Sequence, residues 1–155
     1  MKNNQSSSSM ELSTGPHHVK LDSWLSCAPF EELLHMKIEQ ISNGKAVLSM
    51  PFFHHFSQGA GLLHGGALTG LADTAVAMAC KSLLPPGTHF ATLSLNSTFL
   101  AAVRQGRVTA HATVTREGER ILRGEAVVMD EKKREVMRFN SLFKIARRQK
   151  SQTGQ

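Results

Sequence analysis

The sequence predicts an α+β fold in which a curled antiparallel sheet wraps around one central helix. The prediction depends on two observations: a long apolar segment with helical spacing at His64 to Leu84, and strand-like alternation on both sides of it. With 155 residues, the chain is long enough for one domain with a full core and too short for two. We therefore expect a disordered, serine-rich tail over residues 1–20, one domain over 21–146 and a basic tail over 147–155.

The segment before the helix predicts short helices and a first pair of strands. Asp22-Ser23 has the residue types that cap a helix, and Pro29 to Leu34 places a proline and two acids in a first turn. From Met36 the chain alternates and breaks at Asn43-Gly44, which predicts either two strands joined by a turn or one strand with a bulge. Four apolar side chains of the helical part are expected to pack on the sheet: Trp24, Phe30, Leu33 and Leu34.

The part of the chain after the helix predicts only strands. The helix is expected to end before Pro85-Pro86-Gly87, because proline cannot continue it. Hairpin-sized breaks separate the following runs, which predicts a consecutive antiparallel set. Each run alternates or is rich in β-branched residues, and the runs cover residues 89–101, 106–116, 119–129 and 135–145.

Asp73 is the one carboxylate in the central helix. No Lys or Arg stands three or four positions away to pair with it, and a buried ionised carboxylate is costly unless it is paired or used. It therefore either reacts or bonds a neighbouring hydroxyl or amide. The side chains on its face are small, which leaves space for another backbone or a ligand: Gly66, Thr69, Gly70, Ala77 and Cys80.

The entrance of the helix is His64-Gly65-Gly66. Free amides in a first helical turn favour negative charge, so this entrance suits a phosphate or an oxyanion, or it is simply a tight turn. Gly65 and Asp73 are eight positions apart, which separates them by roughly 12 Å along one axis. Because reacting groups must lie about 3 Å apart, both can act on one substrate only if they come from two copies of the chain.

The positive charge of the chain requires other functions to be considered. A net charge of +6 and a pI of about 9.8 require nucleic acid to be considered. However, the chain has no Tyr, and its single Trp lies far from the basic clusters, so a stacking platform is missing. There is no apolar run of membrane length and no apolar signal core, and the two cysteines lack CxxC spacing. We expect a cytoplasmic protein that binds neither nucleic acid nor membranes.

Four segments resemble the hotdog-fold acyl-CoA thioesterases of the PaaI-like group. They are PFEELL, SQGAGLLHGG, HGGALTGLADTA and LSLNSTFL, within a similarity that runs from about Asp22 to Ile145. The resemblance implies a hotdog fold and hydrolysis of an aryl or medium- to long-chain acyl-CoA to free acid and CoA. It also implies a homo-oligomer, either a dimer or a dimer of dimers, with acyl-CoA as substrate and no metal or other cofactor.

The resemblance also assigns roles to residues. Asp73 matches the carboxylate that acts as nucleophile or general base, and Gly65 matches the backbone amide that polarises the thioester carbonyl. Gln58 corresponds to a side chain near that carbonyl, His64 to a supporting residue, and Thr92 to a hydroxyl that helps hold the water. Related 4-hydroxybenzoyl-CoA thioesterases usually have Glu followed by Thr or Ser one turn later, where this chain has Asp73 and Ala77. The substrate-binding candidates are Gly66, Arg116, Gly118 and Arg120.

Two other functions remain open at this point. A hotdog acyl-CoA-binding module would use the same pocket without cleaving its ligand. A hotdog dehydratase would need a histidine facing an acid, and His64 is available, although its HGG context does not match that group. The residues that line an acyl pocket could equally belong to the core, and the candidates are Phe52, Phe53, Phe56, Leu62, Leu63 and Met78.

Overall fold

The computed structural model describes residues 12–147. The predicted tail 1–20 therefore falls partly outside the described residues, as does the predicted basic tail 147–155 except for Arg147. Three helical elements are present in the described part: α1 over Pro29–Leu33, a 3-10 turn over His54–Phe56 and α2 over Gly65–Lys81. The strands are β1 Lys37–Ser42, β2 Lys45–Pro51, β3 Phe90–Phe99, β4 Arg107–Glu117, β5 Ile121–Met129 and β6 Glu135–Ile145.

The helix expected from Asp22-Ser23 is wrong. Residues 22–26 form a turn in which the Ser26 hydroxyl donates to the Ser23 carbonyl oxygen at 2.9 Å and accepts from the Ser23 N–H at 3.3 Å. The serine side chain thus satisfies the local backbone groups that a helix would otherwise use.

No helix of residues 12–147 has both the length and the hydropathy needed to cross a membrane.

The six strands form one antiparallel sheet in the order β1-β2-β4-β5-β6-β3. The prediction that the last four strands follow one another as hairpins is correct for β4, β5 and β6 and wrong for β3. After β3, the N–H groups of Leu100 and Ala101 both donate to the Val136 carbonyl at the start of β6. The chain then crosses to β4, so β3 is left as an edge strand beside β6.

The turn between β1 and β2 is the two-residue turn predicted at Asn43-Gly44. Both residues have positive φ, 46° and 75°, which is the requirement of a tight hairpin turn. Ser42 pairs with Lys45 across it. The alternative of one bulged strand is therefore wrong.

Helix α2 lies against the concave face of the sheet. Nine of its residues are buried, among them Leu71, Ala75 and Val76. A Cβ at Gly124 of β5 would stand 2.0 Å from Val76 Cγ1. Only glycine at this position lets the helix approach the sheet so closely, and this contact fixes the depth at which α2 lies.

A bulge in β3 determines which of its side chains face α2. Thr92 pairs with Phe143 and Ser94 with Leu142, so Leu93 has no partner in β6. Paired residues of neighbouring strands share a face, and beyond the bulge Ser97 pairs with Phe139, whose side chain is in the core. Thr92 and Ser97 therefore both face the helix, although five positions separate them.

The segment before β1 packs differently from the prediction. Trp24 contacts the sheet through Phe90, with ring centroids 6.5 Å apart, and its Nε1 donates to the Lys81 carbonyl at 3.0 Å. Leu34 is buried as expected, but Phe30 and Leu33 are 54% and 66% exposed. The expectation that all four side chains pack on the sheet is wrong for these two.

Candidate active site

The seam between α2 and β3 brings the candidate catalytic groups together. Residues of α2 spaced by four positions face the strand, as expected for one face of a helix. Three contacts cross the seam: the Phe99 ring on Gly65, a hydrogen bond of 3.0 Å between the Thr69 and Ser97 hydroxyls, and one of 3.3 Å from Thr92 Oγ1 to Asp73 Oδ1.

Asp73 is half-buried in this seam. Burial raises the pKa of its carboxyl, and the hydrogen bond from Thr92 opposes that rise. None of the three ion pairs within residues 12–147 includes Asp73. The carboxylate is therefore partly desolvated with no counter-ion, which favours proton transfer at ordinary pH.

At the helix entrance, His64 is the N-cap of α2. Its Nδ1 accepts a hydrogen bond from the Gly66 N–H at 2.8 Å. The Gly66 amide, a predicted substrate-binding group, is thus engaged by the cap. Among residues 12–147, no acceptor receives the Gly65 N–H, which leaves this amide available to a ligand.

Phe99 explains why position 65 is a glycine. A Cβ at Gly65 would stand 3.0 Å from Cζ of the Phe99 ring, which is tighter than an ordinary contact. The ring covers one side of the helix entrance, next to the free amide. Phe99 is not among the site residues predicted from the sequence, and the signal that points to it is the LSLNSTFL strand with its bulge.

Gln58 lies with Gly65 rather than with Asp73. Its side-chain oxygen accepts from the Ala60 N–H within a tight loop. We call the cavity that it lines the β3-side groove, with a volume of about 410 Å³. The groove is bounded by Gln58, Leu62, Leu63, Gly65, Leu68, Phe99, Leu100, Ala101, Ala102 and Val103.

A second cavity, of about 340 Å³, flanks the other side of the entrance and is called the α1-side groove. Its lining residues are Phe30, Leu34, His55, Phe56, Ser57, His64, Gly66 and Ala67. Of the candidate acyl-lining residues, Phe56 lies here and Leu62 and Leu63 line the β3-side groove. Met78 instead belongs to the buried core.

The two predicted arginines line a cavity of about 1010 Å³ at the opposite end of β3, which we call the basic cavity. Arg120 Nε donates to the Ile145 carbonyl at 2.9 Å, and Arg116 donates to the Glu119 carbonyl at 3.2 Å. Arg147 and His89 also line it. Gly118 lies outside this lining, and its φ of 70° shows that it shapes the β4–β5 turn.

Other nucleophiles and ligand sets are weaker candidates. Burial raises the pKa of the Cys80 thiol to about 12, so little thiolate is present at neutral pH. Within residues 12–147, no three side chains of His, Cys, Asp or Glu converge as a metal-binding group would. The strongest candidates for catalytic groups are therefore Asp73, Thr92 and the Gly65 amide.

The comparison with known proteins decides the family. Residues 60–137, half of the chain and all of α2 and β3, match the family model described as the thioesterase superfamily. The chain belongs to the thioesterase superfamily. This confirms the resemblance noted in the sequence and supports the expectation of a thioester hydrolase.

Two proteins of similar sequence are named as an esterase and as a CoA-thioester hydrolase. A Haemophilus influenzae protein named "Putative esterase" is 38% identical over 73 residues, which are 47% of this chain and 53% of that protein, so the chain spans about half its length. The 1,4-dihydroxy-2-naphthoyl-CoA hydrolase of Listeria monocytogenes is 32% identical and covers 65% of this chain and 82% of that enzyme.

A solved structure confirms the hotdog fold. The E. coli PaaI protein from the phenylacetic acid degradation operon superposes with a TM-score of 0.70 and 26% identity, over 76% of this chain and 84% of that chain. The curled antiparallel sheet around one long helix is the arrangement they share.

Proposed function

We propose that this protein hydrolyses acyl-CoA thioesters at sites built from two copies of the chain. One observation carries the proposal: α2 presents a free amide at Gly65 and a desolvated carboxylate at Asp73 on the face that meets β3. These are the two groups that thioester hydrolysis needs, an oxyanion donor and a base or nucleophile. Their roughly 12 Å separation along one helix requires a second helix.

The edge strand β3 supports the pairing of two copies. Leu93, Leu95, Phe99 and Leu100 are all exposed at this edge, with Leu95 at 47% and Phe99 at 53%. An exposed apolar edge strand is a template for another strand, and a second β3 in antiparallel orientation satisfies its free backbone groups. A twofold axis near Thr69, midway between Gly65 and Asp73, then places the amide of one copy beside the carboxylate of the other.

In the proposed reaction, the thioester oxygen accepts a hydrogen bond from the Gly65 N–H of one copy, which stabilises the negative charge of the tetrahedral intermediate. Asp73 of the other copy either takes a proton from the attacking water or attacks the carbonyl carbon itself. In the first route the C–S bond then breaks, and the CoA thiolate takes the proton that Asp73 received from the water. In the second route the C–S bond breaks to leave an anhydride between the acyl group and Asp73, and water hydrolyses it, giving its OH to the free acid and its other proton to the CoA thiolate. Thr92 holds the Asp73 carboxylate in place. When Asp73 acts as a base, Thr92 also holds the attacking water.

The basic cavity supplies the charge that CoA phosphates need. Arg116, Arg120 and Arg147 bring three guanidinium groups to one rim, and arginine suits phosphate oxygens because its donors form a planar fork. We assign the nucleotide end of the substrate to this cavity. The name of the Listeria relative specifies a naphthoyl-CoA substrate, which carries the same CoA nucleotide.

Subunit complementation tests the shared site. Gly65→Pro removes the free N–H at the first helical position, where proline is tolerated, and His64 already has the extended ψ of 133° that proline requires of its neighbour. Asp73→Asn removes the base. Each variant alone is expected to be inactive. Co-expressed chains regain about a quarter of wild-type thiol release, because half of the dimers then carry one intact site of two.

Gly65→Ala is the matched control, because it adds a side chain at the same place but keeps the N–H. It measures the cost of the contact with Phe99 alone. Heterodimers that form but stay inactive would contradict the shared site. Wild-type protein that binds acyl-CoA without releasing thiol across a substrate panel would identify the chain as an acyl-CoA-binding module instead.

A further inference from the structure

The two grooves begin at the same place. The β3-side groove includes Gly65 itself, and the α1-side groove includes its neighbours His64 and Gly66. A thioester seated on the Gly65 amide has two arms, the acyl group and the pantetheine chain that leads to the nucleotide. With two grooves diverging from the amide, each arm takes one of them.

The sheet topology decides which groove receives the pantetheine chain. The β3-side groove is lined by residues 99–101 at the end of β3, and the basic cavity by Thr88 and His89 just before its start. When two β3 strands run antiparallel, the start of one lies beside the end of the other. The β3-side groove of one copy and the basic cavity of the other copy then form one path from thioester to nucleotide.

We propose that the α1-side groove holds the acyl group and that Phe30 sets the length it accepts. This inference rests on the proposed function, because it places the thioester on the Gly65 amide. Phe30 belongs to α1, which has no buried residue of its own, and its ring lies over α2 at Gly70. A Cβ built on Gly70 would stand 3.3 Å from the Phe30 ring. The ring therefore closes the groove toward the middle of α2.

The lining of the groove fits a compact apolar group. Leu34 and Phe56 are buried walls, at 8% and 6% exposure, and Ala67 adds no bulk. The imidazoles of His55 and His64 and the Ser57 hydroxyl are its polar side chains. A volume of about 340 Å³ lies at the small end of ligand sites. The acyl group is thus a single ring or a short chain, and longer straight chains are excluded by Phe30.

A chain-length series tests this assignment. The substrates are butanoyl-, hexanoyl-, decanoyl- and benzoyl-CoA, with thiol release as the readout and kcat/KM as the measured quantity. Wild-type protein is expected to prefer the short and single-ring substrates. Phe30→Ala should raise the ratio of decanoyl-CoA to hexanoyl-CoA turnover about tenfold. A pocket that excludes additional methylene groups changes the ratio of kcat/KM values by on the order of tenfold or more. Phe30→Trp should lower the same ratio.

Leu33→Ala is the matched control. It lies on the same short helix, is more exposed than Phe30 and does not line the groove, so the ratio should not change. Phe99→Ala tests the other groove. If Phe99→Ala shifts the chain-length profile and Phe30→Ala does not, the acyl group lies in the β3-side groove and the assignment is wrong.

The outcomes separate this inference from the proposed function. A wild-type protein that cleaves none of the four substrates contradicts the hydrolase proposal. A wild-type protein that cleaves them, loses activity with Asp73→Asn, and keeps its profile with both Phe30 variants contradicts only the acyl pocket. Thermal unfolding of each variant checks that the domain stays folded, and Phe30→Leu provides a milder change if Phe30→Ala is unstable.

Discussion

Thr92 Oγ1 donates a hydrogen bond of 3.3 Å to Asp73 Oδ1 across the seam between β3 and α2. It is the only group found to oppose the effect of burial on this carboxyl within the described chain. A side chain of β3 therefore lowers the pKa of the acid in α2. Ala77, one turn after the acid, supplies no hydroxyl, and the hydroxyl comes from β3 instead.

Thr92→Val should move the acid limb of the pH profile of kcat/KM to higher pH. Valine keeps the shape of threonine but removes the hydrogen bond that stabilises the ionised carboxylate, so the pKa of Asp73 rises further. The limb is measured by thiol release between pH 4 and 9. Thr98→Val, on the opposite face of the same strand, is the control. An acid limb that stays in place would contradict the role of this bond.

Asp73→Asn should raise the melting temperature at pH 8. Burial raises the folded-state pKa of Asp73, so ionising it costs folding free energy, and this cost appears as pH rises through that pKa. The gain of the Asn variant should therefore shrink as the pH falls through that raised pKa and the wild-type carboxyl becomes protonated. Thermal unfolding across this range gives the comparison.

Asp130→Asn provides the opposite sign. Hydrogen bonds from the backbone and side chain of Arg134 lower the pKa of Asp130, so its ionised form stabilises the fold at neutral pH. This variant should lower the melting temperature at pH 8. If both Asn variants move the melting temperature in the same direction, desolvation of Asp73 does not explain the change seen with Asp73→Asn.

His64→Ala should lower the free energy of unfolding by about 1 kcal/mol, because the Gly66 N–H loses its acceptor at the start of α2. His64→Asn should recover most of the loss, since asparagine is a good N-cap. Urea unfolding measures both. If the Asn variant is stable but slow with acyl-CoA, His64 also acts in the reaction; if it is both stable and active, capping is its whole role.

Gly124→Ala should destabilise the protein by about 1–3 kcal/mol, since the new Cβ would overlap Val76 and push α2 away from β5. Gly59→Ala is the control, because a Cβ there has no neighbour within 4 Å. Chemical unfolding of the two variants shows the difference. Equal stability would mean that the helix is not held at the depth described.

Local features of the fold were predictable from the sequence. The extent of α2, the position of Asp73 and the Asn43-Gly44 turn all follow from residues that are neighbours along the chain. The position of β3 did not follow, because the breaks around it have the same lengths as hairpins and pairing with β6 is a long-range choice. The engaged Gly66 amide was missed because a His64 ring nitrogen, not a sequence pattern, decides which of two adjacent glycines is free.

Phe30 was missed for a similar reason. Its position in the PFEELL segment predicts a short helix with Phe30 on the sheet, yet the ring lies over Gly70 of α2, where no side chain keeps it away. Where the ring lies depends on the shape of the helix it meets, which only the folded chain defines.

The unpaired Leu93 gives β3 one residue more than its pairing with β6 requires. A chain without this residue would pair Thr92 and Ser94 with Phe143 and Leu142 as a regular strand, and Thr92 and Ser97, then four positions apart, would still share the face toward α2. The hydrogen bond from Thr92 to Asp73 should therefore survive that deletion. What the deletion would remove is an exposed leucine from the edge at which two copies are proposed to meet.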